Sequence, residues 1–131
     1  MSIHAQILRQ AADARGWLFE PLDAAALAGC RNVHVVLTRP GHIRGNHFHR
    51  RTTEILAVAG PALVRVREGA AIRDFVVPAR EAHRFSMAPG TPHAILNTGT
   101  EMGLTVSFTD QVHDPQDPDT VREVLIEPQA G

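Results

Sequence analysis

The sequence predicts an all-β sandwich or closed barrel, preceded by a short helix, in a single domain of 131 residues. Three observations predict it. From Arg31 onward apolar and polar residues alternate with a period of two, as they do on half-buried strands. Turn signals at Gly60-Pro61, Glu68-Gly69, Pro78, Pro89-Gly90 and Thr98-Gly99 recur at intervals of about 8–12 residues, the strand spacing of such folds. The length matches one domain of about 100–150 residues, and no boundary, repeat array or low-complexity tract divides it.

Ile3, Ile7, Leu8, Ala11 and Ala12 fall at helical spacing, which predicts an amphipathic helix over about residues 2–15, ended by Gly16. Trp17 to Glu20 reads as a short strand stopped by Pro21, and Asp23 to Ala28 as a helical turn closed by Gly29. Val33, Val35 and Leu37 then alternate with His34, Val36 and Thr38 until Arg39-Pro40-Gly41 breaks the run. Further strands are predicted at Phe48–Arg50, Glu54–Ala59, Ala62–Glu68, Ala71–Val77, Ala82–Met87, His93–Asn97 and Met102–Thr109. The barrel thus covers about residues 17–110. A Pro/Asp-rich tail, 111–131, follows, in which Val121 to Ile126 can form a last edge strand or a short helix.

Net charge is −1 with histidines neutral, so no broad basic face recommends nucleic acid or an anionic membrane as partner. All thirteen basic residues are arginines and tyrosine is absent, which excludes a lysine Schiff base and a tyrosine general acid. Cys30 is the single cysteine; it cannot form an internal disulfide and reads as a small apolar filler. With no signal pattern and no run of 18 apolar residues, a cytoplasmic protein is expected.

Candidate chemistry gathers in Gly41 to Glu54. On a strand His47 and His49 share a face while Phe48 points opposite, so two imidazoles enter one space. Glu54, after the Arg50-Arg51-Thr52-Thr53 turn, and His93, after Pro89-Gly90, complete a set of nitrogen and oxygen donors suited to a divalent transition metal: zinc foremost, with iron, manganese and nickel accepted by the same donors. The simpler reading is a pair of exposed polar residues on a wet strand face. Asn97 is better read as a supporting or packing residue than as a ligand.

Gly41, His47-Phe48-His49, Glu54 and Gly60, followed by Gly90, His93 and Asn97, resemble the two cupin motifs, with one residue fewer between Glu54 and Gly60 than is usual and with a proline directly before Gly90. Within the cupins, Asp13 to Glu20, Arg44 to His49 and Asp114 to Thr120 resemble the C-terminal cupin of capsular polysaccharide biosynthesis epimerase/reductases and, more distantly, the dTDP-4-dehydrorhamnose 3,5-epimerases. The resemblance implies a double-stranded β-helix (jelly-roll) barrel, a metal held by His47, His49, Glu54 and His93, a nucleotide-sugar ligand, and a homodimer.

Arg44 reads either as a solvated turn residue or as a clamp on a phosphate, for which a planar guanidinium is suited. With Asn46 and Arg15 it makes up the candidate substrate-binding set; Arg65 and Arg67 could add charge or simply be exposed. His34 can serve as a base held by a carboxylate such as Asp74, with Glu54 the second candidate base; the plain alternative for His34 is a hydrogen-bonded core or edge histidine. Asp114 to Asp119 lacks the ordered loop of a calcium motif and reads as an exposed turn. Three function classes follow: a metal-dependent epimerase or isomerase of a nucleotide-linked keto sugar in surface polysaccharide synthesis, a non-catalytic sugar- or metal-binding cupin, and a small non-haem iron dioxygenase.

Overall fold

A computed structural model describes residues 3–129. Its elements are β1 (Ile3–Ile7), β2 (Gln10–Asp13), β3 (Gly16–Phe19), α1 (Ala24–Gly29), β4 (Asn32–Thr38), β5 (Ile43–His49), β6 (Glu54–Ala59), β7 (Ala62–Glu68), β8 (Ala71–Val77), β9 (Ala82–Met87), β10 (His93–Asn97), β11 (Gly103–Thr109) and β12 (Thr120–Arg122). Strands β6 to β10 coincide with the predicted ranges, because alternation and turn residues agree there. Asp23 caps α1 by accepting a 2.8 Å hydrogen bond from the Ala26 N–H.

Two antiparallel sheets face each other, in the orders β1-β9-β6-β11-β4 and β12-β5-β10-β7-β8. Taken without the additions β1 and β12, the eight strands β4 to β11 cross between the sheets in jelly-roll order. The fold is the all-β cupin barrel that the motifs imply.

The N-terminal helix does not form. Residues 3–7 instead pair antiparallel with the edge of β9, from Ile3 opposite Met87 to Ile7 opposite His83. That pairing satisfies an otherwise open sheet edge and carries Ile3 into the core, so tertiary pairing overrides helical spacing. Residues 10–19 form a hairpin, β2 with β3, so Gly16 lies at the hairpin turn instead of ending a helix. Ser2, the first residue of the predicted helix, lies outside the described residues. Of the last predicted element, Val121 to Ile126, only Val121 and Arg122 lie in a strand, β12, paired with β5; residues 123–126 run on without regular structure.

The space between the sheets is divided. One half is filled by Val64, Val66, Val77 and Phe85, each fully buried, with Leu56, Val58 and Ile95 around them. The other half is lined by polar side chains of the same interior faces: Thr105 and Ser107 of β11, Glu54 of β6 and His93 of β10. A smaller apolar cluster of Leu8, Ala57 and Ala82, with Phe19 and Phe108, forms away from that cavity. The apolar half holds the two sheets at a set distance and orientation, and so holds the histidines.

The tail is a clasp. Asp119 accepts hydrogen bonds from the Arg51 N–H (2.9 Å), the Thr52 N–H (3.0 Å) and the Thr52 hydroxyl (2.5 Å), tying residues 117–120 to the turn that follows β5. Arg67 forms a two-pronged ion pair with Glu123, and Arg65 donates to the Leu125 carbonyl. These two arginines therefore hold the tail, and neither adds charge to a phosphate site.

Candidate metal centre and cavity

Strand β5 carries the local irregularity on which the site depends. In the β10–β5 ladder His93 stands opposite His47 and Ala94 opposite Gly45, so Asn46 is an extra residue, a bulge. Gly45 (φ 83°) and Asn46 (φ 57°) both occupy left-handed backbone. Strict alternation would send Arg44 and His47, three residues apart, to opposite faces; the extra residue brings both into the cavity. The approach is close: a Cβ on Gly45 would meet the His93 carbonyl oxygen at 2.7 Å. Because the backbone absorbs the bulge, β5 starts at Ile43, five residues before the predicted start at Phe48.

The rings of His47, His49 and His93 converge, with centroids 4.9 Å apart for His47–His49, 4.9 Å for His47–His93 and 5.7 Å for His49–His93. One ligand atom from each lies within 4.8 Å of the others. Glu54 Oε1 is 3.3 Å from His49 Nε2 and 3.1 Å from His93 Nε2, yet Oε1 and His49 Nε2 are buried polar atoms with no hydrogen-bond partner among the described residues. These are charge contacts without hydrogen-bond geometry. His93 Nδ1 sits 2.9 Å from the Thr91 carbonyl, which accepts its proton and leaves the Nε2 lone pair, on the side of Glu54, available to a metal.

Electrostatics favour the ligand form of His47 and of Glu54, and favour the charged form of His49, whose proton a bound metal would displace. Burial, reinforced by the neighbouring His93 and His49, lowers His47 to about 4, so its imidazole is neutral at pH 7. Burial works against a charged His49 as well, but the Glu54 carboxylate and Asp119 outweigh it and the net shift is upward. Burial also works against ionised Glu54, and contacts with His49 and His93 overcome it and hold the carboxyl well below the usual range. Three imidazoles and an ionised carboxylate, with orphaned atoms turned toward one another, fit a divalent transition metal. The short spacing to Gly60 leaves Glu54 facing inward, because it opens β6 on the same face as Leu56 and Val58.

Around these four residues lies a cavity of about 560 Å³, within the range of small-molecule sites. Arg44 lines it, with Nη2 donating to the Leu37 carbonyl (3.0 Å) and Nε to Thr38 Oγ1 (3.3 Å). Two of five guanidinium donors are thus committed to β4. His34 also lines the cavity, with Nδ1 3.2 Å from Asn32 Nδ2. Its expected carboxylate partner is elsewhere: Asp74 binds Arg65 through two hydrogen bonds of 2.7 and 3.0 Å.

Two sequence-predicted site residues lie outside. Asn46 is buried, and its amide binds the tail: Nδ2 donates to the Ile126 carbonyl, and Oδ1 accepts from the Leu125 and Ile126 N–H groups. Arg15, at the β2–β3 turn, pairs with Asp13 and borders a separate surface groove. Asn97 plays the predicted packing role, donating to the Thr38 and Glu101 carbonyls and accepting from Gly99 N–H. Cys30 is free and half-buried, its Sγ against the Asn32 carbonyl.

Sequence reasoning missed Ser107, whose Oγ donates to Glu54 Oε2 at 2.6 Å. A signal was present: Thr105, Ser107 and Thr109 share one face of β11, opposite Val106 and Phe108. Taken on its own that face looks wet, and only its position between the sheets makes it the cavity wall.

The chain is 29% identical over 111 residues to a UDP-2-acetamido-2,6-beta-L-arabino-hexul-4-ose reductase of Pseudomonas aeruginosa, matching 82% of this chain and 29% of that protein. Among solved structures it resembles the capsular polysaccharide assembling protein CapF of Staphylococcus aureus, with a TM-score of 0.67 and 26% identity over 90% of this chain and 32% of that one. The chain therefore spans about a third or less of the length of either relative. The fold is shared, at 14% identity and a TM-score of 0.69, with the sugar 3,4-ketoisomerase QdtA of Thermoanaerobacterium thermosaccharolyticum, whose structure contains TDP; the match covers 93% of this chain and 88% of that one. Residues 11–121 match the polysaccharide biosynthesis C-terminal domain, and the chain belongs to that family.

Proposed function

We propose that this protein is a metal-binding cupin that acts on a nucleotide-linked keto sugar, as an epimerase or isomerase of surface polysaccharide biosynthesis. The observation that carries the reading is the convergence of His47, His49, His93 and the buried Glu54 in a cavity that also receives Arg44. The family and the ligands named for similar structures support the substrate class. A divalent transition metal held by those four residues supplies Lewis-acid stabilisation to an oxygen that gains negative charge.

The remaining roles belong to the chain itself. Arg44 binds the diphosphate with the guanidinium donors that β4 leaves over. A proton on the carbon next to the ketone must leave and return. Glu54, held strongly acidic, is a poor acceptor for it and serves better as a ligand. His34, on the cavity wall, is the proton carrier this reading assigns. With no tyrosine in the chain, the proton returned to the opposite face comes from an imidazole or from solvent.

The outer face of edge strand β4 exposes Val33 (51%), Val35 (64%) and Leu37 (54%), which supports a homodimer through that edge. Sedimentation of wild type and Val35→Arg tests it; a monomer in both defeats it.

The primary test is elemental analysis of the purified protein and His47→Ala, with solvent-deuterium exchange into nucleotide-linked 4-keto sugars followed by NMR. About one transition metal per chain, lost from the variant together with exchange, is expected. Wild-type protein that holds no metal under metal-replete conditions overturns the reading. Tight ligand binding without exchange identifies a non-catalytic cupin, and iron with oxygen consumption on a thiol or diketone identifies a dioxygenase.

A further inference from the structure

Glu54 has two carboxylate oxygens, and the fold treats them differently. Ser107 lies on β11, which pairs with β6 so that Thr109 stands opposite Glu54 and Ser107 opposite Leu56. That register makes Ser107 the diagonal neighbour of Glu54 on the interior face. Both are buried, at 3% and 6% exposure, and the Ser107 hydroxyl donates to Oε2 at 2.6 Å. An ionised carboxylate only accepts, so the single hydroxyl proton is committed to that oxygen. The next hydroxyl along the strand is occupied elsewhere: Thr109 donates to the Gln111 carbonyl. Oε1 is left facing His49 and His93 with no hydrogen bond among the described residues.

We propose that Ser107 is a positioning residue that holds Glu54 as a one-oxygen metal ligand, keeping Oε2 out of the coordination sphere and one metal position available to a substrate oxygen. The inference rests on the metal-binding reading above. Without the hydroxyl, the carboxylate can rotate and offer both oxygens, which raises the coordination number and removes the position a substrate would take.

The test uses the full chain stripped of metal and reloaded with Co²⁺, whose visible absorption weakens as coordination rises from four to five or six. Wild type, Ser107→Ala and Ser107→Thr are compared, with Co²⁺ affinity measured by chelator competition and folding checked by thermal melting. Ser107→Ala is expected to show weaker visible bands, as the second carboxylate oxygen joins the metal, together with a Co²⁺ affinity changed by about 10-fold or more. Ser107→Thr, which keeps the hydroxyl, is expected to retain both wild-type properties. An alanine variant matching wild type in spectrum and affinity overturns the inference, as do alanine and threonine variants that change alike, since packing and not the hydroxyl would then be responsible. A wild-type protein that takes up no Co²⁺ overturns the metal reading itself, a result distinct from failure of the serine variants alone.

Discussion

Asn46→Ala tests how the tail is joined to β5, the strand of His47 and His49. Its amide makes three hydrogen bonds to the tail backbone, of 3.0 Å to the Ile126 carbonyl and 2.9 and 3.1 Å from the Leu125 and Ile126 N–H groups. At about 0.5–1.5 kcal/mol each, their loss costs about 1.5–4.5 kcal/mol. Alanine also occupies left-handed backbone badly, which adds about 1–2 kcal/mol at φ 57°. The expected loss is therefore about 2.5–6.5 kcal/mol, a large fraction of the stability of a domain this size. Asn46→Gly loses the same bonds without the backbone strain and should be about 1 kcal/mol less damaging. Asn46→Asp tolerates the backbone and keeps the two accepted bonds, but sets an oxygen against the Ile126 carbonyl, so it should fall between alanine and wild type. Urea unfolding followed by circular dichroism measures all three, with an unchanged m-value as the sign that only stability moved. An alanine variant within 1 kcal/mol of wild type refutes the clasp.

Gly45→Ala should force β5 away from β10, because the new Cβ meets the His93 carbonyl at 2.7 Å in left-handed backbone, and metal content should fall together with thermal stability. Wild-type metal content in this variant would disprove the close approach. Arg44→Ala should weaken binding of a nucleotide sugar by about 10–150-fold, the equivalent of about 1.5–3 kcal/mol for hydrogen bonds to a charged group, and leave metal content unchanged; titration calorimetry reads the first and elemental analysis the second. Burial opposes ionisation of Asp119, but the Thr52 hydroxyl and the Arg51 and Thr52 N–H groups prevail and its carboxyl lies below the ordinary aspartate value. A depressed folded-state pKa gives stability that is present above about pH 4 and lost as pH falls through the folded value. Asp119→Asn should therefore melt below wild type at neutral pH, and the gap should close on acidification; a gap that is constant from pH 7 to pH 2 defeats the argument.

The barrel was legible where strands alternate between clear turn signals: in β7, Ala62, Val64 and Val66 turn inward while Leu63, Arg65 and Arg67 turn out. The histidine pair was legible for the same reason, two residues apart on one strand. Residues 3–13 were not, since apolar spacing compatible with a helix was met, over 3–7, by a free edge on β9 and, over 10–13, by pairing with β3, neither of which local periodicity reveals. Asn46 was misassigned because it stands between Arg44 and His47, and neighbours in sequence part company at a bulge. The pairing of His34 with Asp74 failed because the two lie on different sheets.

By itself the sequence determined the strand-and-turn pattern, the donor types available to a metal and the absence of tyrosine and lysine chemistry, since these follow from residue identity and local periodicity. Only the tertiary structure decided which oxygen of Glu54 faces the imidazoles, that Arg44 enters the same cavity, and that Asn46 serves the tail. Each of those depends on inter-strand register, where one extra residue reverses the face a side chain occupies, and register is set by the packing of the two sheets against each other.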